Sequence, residues 1–203
     1  GFGMVLAMLI LSSLLVSYYI YDYSNLYELP WLENSQPQTI LNINAGFDET
    51  SHLLKTRYPN ADLTVLDFYN PINHTEVSIK RARKAYSPYP NTLQTNTTQL
   101  PLPDKSVENI FTILSAHEIR NDLERVAFFK ELNRVLTVEG QVIVTEHLRD
   151  TANFIAYNIG FLHFHSKRIW MQTFRKAGFK VSKEIKITPF ISTFILTKNG
   201  TAS

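Results

Sequence analysis

The two β-type runs that close the chain, KVSKEIKIT (Lys180–Thr188) and FISTFILTK (Phe190–Lys198), are separated by Pro189 alone. Parallel neighbours need a crossover of about a dozen residues or more, so these runs either pair antiparallel or do not pair. Ahead of them, strand and helix patterns alternate. Strands are expected at Ile40–Asn44, Asp62–Phe68, Thr92–Thr97, Glu108–Ser115 and Gln141–His147. Helices are expected at Thr50–Arg57, ended by Pro59, and at His74–Tyr86. A third helix is capped by Asn121, with Glu124 completing a capping box and Val126, Phe129, Leu132 and Leu136 marking one face. A fourth starts at a Ser166 cap, runs to Ala177 and stops at Gly178. The pattern is that of a doubly wound, mostly parallel α/β sheet closed by an antiparallel hairpin.

Residues Phe2–Ile20 carry no charge. Nineteen residues at about 1.5 Å each extend to about 29 Å, near the hydrocarbon thickness of a bilayer. Tyr18, Tyr19, Tyr21, Tyr23 and Tyr27 follow, rings of the kind that gather at membrane interfaces. No basic stretch precedes the run, which argues against a cleaved signal peptide. A membrane-spanning or membrane-associated helix over 1–27 is the expectation; a hydrophobic helix packed on its own domain or a partner is the other reading. A linker covers 28–38, the α/β domain 39–199 and a short tail 200–203.

Charge is uneven. Residues 1–36 hold Asp22, Glu28 and Glu33 and no Lys or Arg, a net of −3, leaving 20 basic against 15 acidic residues, +5, in the remainder. That excess suits anionic ligands or a phospholipid surface and is too small to argue for nucleic acid. The absence of cysteine excludes disulfides, thiolate catalysis and cysteine-ligated zinc. Asn-x-Thr triplets at Asn73, Asn96 and Asn199 read as chance matches.

In doubly wound sheets, ligands sit beyond the carboxyl ends of the strands where the topology reverses. ILNINAGFDETS, Ile40–Ser51, supplies a strand, a turn with the single glycine Gly46 and a helix start. Asp67 ends the second strand 21 residues later, about the spacing of an acid that binds a ribose diol. A dinucleotide needs more glycines, and Phe47 and Asp48 oppose a pyrophosphate. The acidic and amide groups here suit an ammonium and a sulfonium.

These pieces resemble the class I S-adenosylmethionine-dependent methyltransferases of the type-11-like group. The resemblance runs from about Ile40 to Lys198 through ILNINAGFD, VLDFYN, NTTQLPLPDKSVENIFTILSAHEI, FFKELNRVLTVEGQVIVTEH and FRKAGFKV, in the family's order. It implies a Rossmann-like, seven-stranded sheet with S-adenosylmethionine as cofactor. By position, Asp67 binds the ribose hydroxyls, Phe68 packs on the adenine, Asn96 meets its amino group, and Thr97 offers a backbone amide. Ser115 then faces the methionine portion, and Asn42, Asn44 and Gly46 belong to the turn that binds the cofactor. The chain departs from the family where Asn42 replaces an acid, Asn44 and Asp48 replace glycines, and Val138-Glu139-Gly140 replaces a Pro-Gly-Gly turn.

Methyl transfer needs alignment and sometimes a base. Candidates at the carboxyl edge are His117 and Glu118 after the fourth strand, and Glu146 and His147 at the end of the fifth. The structural alternatives are that Glu118 pairs with Arg120 and that His147 only hydrogen-bonds to the loop. His163 and His165 stand two apart without a matching carboxylate cluster, so no metal is expected. Asn153–Phe164, with Phe154, Tyr157, Phe161, His163 and Phe164, falls where the family builds its acceptor pocket. KRARK, Lys80–Lys84, reads as a solvated basic face or one laid on anionic headgroups.

The expectation is a membrane-tethered methyltransferase acting on a small lipophilic or membrane-delivered acceptor, its soluble domain facing the cytoplasm. A catalytically degenerate scaffold or accessory subunit of a membrane complex is the first alternative, and a nicotinamide-dependent oxidoreductase the second.

Overall fold

The computed structural model describes residues 1–29, 32, 35–72 and 77–200. A helix α1 (Phe2–Tyr18) continues into a π-helical turn (Tyr19–Tyr23). Then come β1 (Thr39–Asn44), α2 (Ser51–Arg57), β2 (Asp62–Asp67), α3 (Val77–Ala85), β3 (Leu93–Gln94) and β4 (Val107–Ile113). A 3-10 turn (Ala116–Glu118), α4 (Asp122–Val135), β5 (Leu136–His147), α5 (Thr151–Tyr157), a second 3-10 segment (Asn158–His163), α6 (Lys167–Lys176), β6 (Phe179–Thr188) and β7 (Ile191–Lys198) complete the chain.

The seven strands lie in the order β3-β2-β1-β4-β5-β7-β6. All pairs are parallel except β5 with β7 and β7 with β6, as the closing hairpin requires. The chain winds outward from β1 in one direction and from β4 in the other, so the crevice of this topology lies beyond the carboxyl ends of those two strands. Asn44 pairs with Asp67, which sets the glycine turn beside the acid.

The departures from the sequence pattern have local causes. β5 starts at Leu136, so Val138-Glu139-Gly140 is extended strand instead of a turn. A Cβ on Gly140 would stand 2.7 Å from the Glu108 carbonyl oxygen, so glycine allows β4 to pass close. β3 is reduced because the Asn96 side chain accepts from the amides of Thr98 and Gln99, a local turn that competes with the ladder. Asn121 does cap α4, accepting from Leu123 and Glu124 amides, but Glu124 turns to Thr97 Oγ1 at 2.5 Å and does not close the box. The buried stripe of α4 is Arg125, Phe128, Phe129, Leu132 and Val135, with Val126 only half-buried. His74–Glu76, the start of the helix expected at His74–Tyr86, lie outside the described residues.

The N-terminal element corrects the membrane-spanning expectation. α1 has 17 residues, about 25 Å of helix, and no helix among the described residues is long and apolar enough to cross a membrane. Its carboxyl end is instead docked on the domain. Ile20 and Leu26 are fully buried with Ile191, and half-buried Val16 and Tyr157 pack against them. The Tyr27 hydroxyl donates to Glu49 at 2.8 Å. Further along α1, Met4, Met8, Ile10, Leu11, Leu14 and Leu15 stay exposed.

Candidate functional site

Two cavities meet at the turn after β1. The larger, about 580 Å³, is bordered by Asn44 and Ala45 after β1, Ile113 and Leu114 at the end of β4, and His117 and Glu118. Ser13 of α1, Tyr157, His163 and Phe164 close its other side. The smaller, about 110 Å³, lies against Gly46, Asp48, Asp67, Arg83 and Gln94. Asn44 and Phe47 border both. The Phe47 ring leans on Tyr86, centroids 5.5 Å apart, and does not plug the crevice.

Gly46 takes φ +103°, a conformation that favours glycine, and an added Cβ would meet the Tyr69 ring at 2.7 Å. Asp67 is 2% exposed. Its Oδ1 accepts from the Tyr69 amide at 2.8 Å, and its Oδ2 from Arg83 Nη1 at 2.6 Å and Gln94 Nε2 at 2.7 Å. Arg83 also donates to the Gly46 carbonyl at 3.1 Å and lies over the Tyr69 ring. A carboxylate offers about four acceptor sites, and three are taken here, whereas a ribose diol needs two. The acid therefore stands where the fold family uses it, with a guanidinium already on it. No local pattern marks Arg83 for this contact, because it belongs to a run whose other members Lys80, Arg81 and Lys84 are exposed.

Several expected cofactor contacts are placed otherwise. The buried Asn42 amide donates to Thr50 Oγ1 at 2.9 Å and Ser51 Oγ at 2.8 Å, fastening the turn to α2. Asn44 borders both cavities while its Oδ1 accepts from the Gly46 amide. Phe68 packs in the core against Phe128, ring centroids 5.7 Å apart. Asn96 is exposed with its oxygen held by its own turn, and the Thr97 hydroxyl donates to Glu124. Ser115 donates to the Ile43 carbonyl at 2.8 Å, tying β4 to β1, and is not turned to a methionine group. At the turn, Asp48 Oδ1 accepts from the amides of Thr50 and Ser51, and its buried Oδ2 has no hydrogen-bond partner.

The polar floor of the larger cavity is built from distant pieces of chain. Glu146, fully buried at the end of β5, accepts from the His117 amide at 3.1 Å and faces His117 Nδ1 at 2.6 Å. Glu118 Oε1 lies 3.3 Å from His117 Nε2 and 3.3 Å from His163 Nε2. Burial works against charge on His117, but the Glu146 carboxylate and then Glu118 outweigh it and raise its pKa from 6.5 to about 10. Burial likewise opposes the Glu118 carboxylate, and hydrogen bonds from His117 and His163 outweigh it, holding the group well below the usual range. The raised pKa favours the protonated His117, which donates toward the two carboxylates. Arg120 contacts the His163 carbonyl and ring. His147 is held at both ring nitrogens. Its Nδ1 faces Asn153 at 3.0 Å, its Nε2 faces the Tyr21 hydroxyl at 2.9 Å, and its ring stacks on Phe164 at 4.6 Å. Burial lowers its pKa to about 4, as suits a neutral peg that locks the N-terminal segment to α5.

The family described as "Methyltransferase domain" matches residues 41–144, half of the chain. A search of curated proteins returned no match. Among solved structures, the PH0226 protein of Pyrococcus horikoshii OT3 superposes with a TM-score of 0.65 at 16% identity, over 89% of this chain and 91% of that one. A SAM-dependent methyltransferase of Aquifex aeolicus gives 0.58 at 17%, over 78% and 81%. LepI in complex with SAM gives 0.58 at 14%, over 85% of this chain and 46% of that one. The match across β1 to β5, on a sheet of this order, places the chain in the class I methyltransferase family, whose cofactor is S-adenosylmethionine.

Proposed function

We propose that this protein moves the methyl group of S-adenosylmethionine to a small lipophilic acceptor lying in the larger cavity, and does so at a membrane surface on the cytoplasmic side. The observation that carries the reading is the cavity itself. It opens at the switch point of the sheet, with Tyr157 and Phe164 as an aromatic wall and His117 and Glu118 as a polar floor. The cofactor supplies an electrophilic methyl, so the protein's own task is chiefly alignment. His117 Nε2 and the Glu118 carboxylate offer a donor and an acceptor able to orient an acceptor hydroxyl, and the aromatic wall excludes water from it. The cofactor's own contacts fall to the Asn44–Gly46 turn, to the unpartnered Asp48 Oδ2 for a cationic group, and to Asp67 for the ribose. The ribose contact fits once Arg83 withdraws.

The lipophilic character rests on what surrounds the cavity mouth. α1 packs on α5, and both leave apolar side chains in solvent: Leu11, Leu14 and Leu15 on α1, Phe154 and Ile155 on α5, and Ile159 and Leu162 beyond it. An uncharged helix of this kind seeks an apolar layer without crossing it. In flotation with phosphatidylcholine–phosphatidylglycerol vesicles the full chain is expected to float, and Leu11→Asp/Leu15→Asp to stay at the bottom. A wild-type chain that does not float removes the membrane from the reading.

Calorimetry with S-adenosylhomocysteine, followed by transfer of labelled methyl into organic-soluble product, tests the activity. Arg83→Ala is expected to bind the ligand about tenfold more tightly, the order of one charge-assisted hydrogen bond of about 1.5 kcal/mol. Asp67→Ala is expected to bind it more weakly. One observation favours a second reading, a scaffold that has kept the fold: the ion pair between Arg83 and Asp67. Folded wild-type and Arg83→Ala proteins that both give no heat at millimolar ligand select the scaffold.

A further inference from the structure

We propose that His117, Glu118 and His163 form a binding site for a divalent transition metal, zinc(II) foremost, on the floor of the larger cavity. Their ligand atoms lie within 4.8 Å of one another. Two of the three separations, from Glu118 Oε1 to each imidazole Nε2, are 3.3 Å. Ligands about 2.0–2.1 Å from a tetrahedral zinc are about 3.4 Å apart, so closing the set needs only a small approach of the two rings. Two histidines and one carboxylate make a three-ligand set that leaves a coordination position open, as catalytic zinc sites do. All three residues border the cavity, so that position faces its space.

The surroundings are those of a metal ligand set. His117 Nδ1 is held at 2.6 Å by the fully buried Glu146, the carboxylate–imidazole arrangement that fixes a ring so that its other nitrogen can bind metal. His117 and Glu118 are buried, and His163 is reached from the cavity side. One neighbour opposes the ion: Arg120, whose guanidinium contacts the His163 ring. Arg120 is exposed and on a long side chain, and an ion at the site displaces its guanidinium from the ring. With an ion present, the protons that His117 and His163 direct at Glu118 are replaced by metal bonds. An ion here would hold an oxygen of whatever enters the cavity, in the manner of a Lewis acid. The site rests on the cavity floor and not on the identity of the acceptor.

The test uses the full chain, stripped with a chelator and titrated with zinc(II) and cobalt(II), without cofactor or acceptor. One ion per chain is expected, with cobalt(II) showing the intense visible bands of a four- or five-coordinate nitrogen–oxygen site. Glu118→Gln and His163→Ala are expected to weaken binding at least tenfold. Arg120→Ala is expected to strengthen it, and His52→Ala, at an exposed surface histidine, to leave it unchanged. Circular dichroism on each variant verifies folding, and Glu118→Gln keeps the side-chain volume. An absent cobalt band, or affinity kept in Glu118→Gln and His163→Ala, overturns the proposal and leaves the cluster as a proton-sharing network. Because no methyl donor is present, this result is independent of the calorimetry that tests methyl transfer.

Discussion

Glu146→Ala is expected to destabilise the fold by about 3–5 kcal/mol at neutral pH, the cost of stranding a buried charge. The charge is the His117 imidazolium, whose amide and Nδ1 both face Glu146, itself 0% exposed. For a chain of this size the melting temperature should fall by about 6–20 °C. Glu146→Gln keeps an acceptor and should lose less. The pH dependence separates this pairing from simple packing. The charged groups facing His117 are Glu146 and Glu118, with His163 and, beyond it, Arg120. Since its pKa rises from 6.5 to about 10 on folding, the stability contributed by His117 is complete below 6.5 and is lost as pH climbs toward 10. His147 and His165 act in the opposite sense. Burial lowers each to about 4, aided for His165 by Arg125, so their contribution is complete above 6.5 and fades as pH falls toward 4. Glu118, held below its ordinary 4.5, adds a further loss in acid beneath that value. Chemical denaturation across pH should therefore give a maximum near 6.5 in the wild type, with the alkaline slope flattened in Glu146→Ala. An unchanged alkaline slope would remove the His117–Glu146 pair from the account.

Trp170→Ala is expected to cost a similar amount, about 3–5 kcal/mol, through lost burial and the cavity left behind. Trp170 is 0% exposed and joins α6 to α4. It stacks on Phe174 at 5.7 Å, meets Phe129 edge-on at 6.0 Å and lies 5.8 Å from the Arg125 guanidinium. Arg125 in turn donates to the Ile119 carbonyl at 3.0 Å and to His165 Nε2 at 3.2 Å. The loss should therefore reach the His117–Glu118 turn just before Ile119. Urea denaturation measures the stability, and the NMR signals of the His117 ring report the disturbance. A variant that unfolds early but leaves those signals unmoved would show that α6 supports the fold without supporting the cavity floor.

How much could be read beforehand follows the range of the interactions. The strands β1, β2, β4, β5, β6 and β7 were legible because each is an apolar or β-branched run bounded by turn residues. The caps at Asn121 and Ser166 were legible because they act within three residues. Asp67 was found because the spacing between a first turn and a second strand end is fixed by one crossover. Arg83 was not, since a basic run says nothing about which member turns inward. Arg125 is a charged residue on a helix, which reads as solvated; its burial at 1% puts it in the stripe in place of Val126, while Phe129 and Leu132 stand on the expected face. His163 has no carboxylate cluster close in sequence, and the fold supplies Glu118 from 45 residues away.

The sequence by itself determined the alternation of elements, the antiparallel close and the strand end that carries the acid. These depend on backbone preference and on neighbours a few residues apart. Tertiary structure alone decided that α1 docks by its carboxyl end, that a guanidinium sits on Asp67, and that two imidazoles and a glutamate converge on one cavity. Each of those is a meeting of side chains from separate crossovers. Their distances are set by how helices pack on the sheet, a quantity that no local pattern encodes.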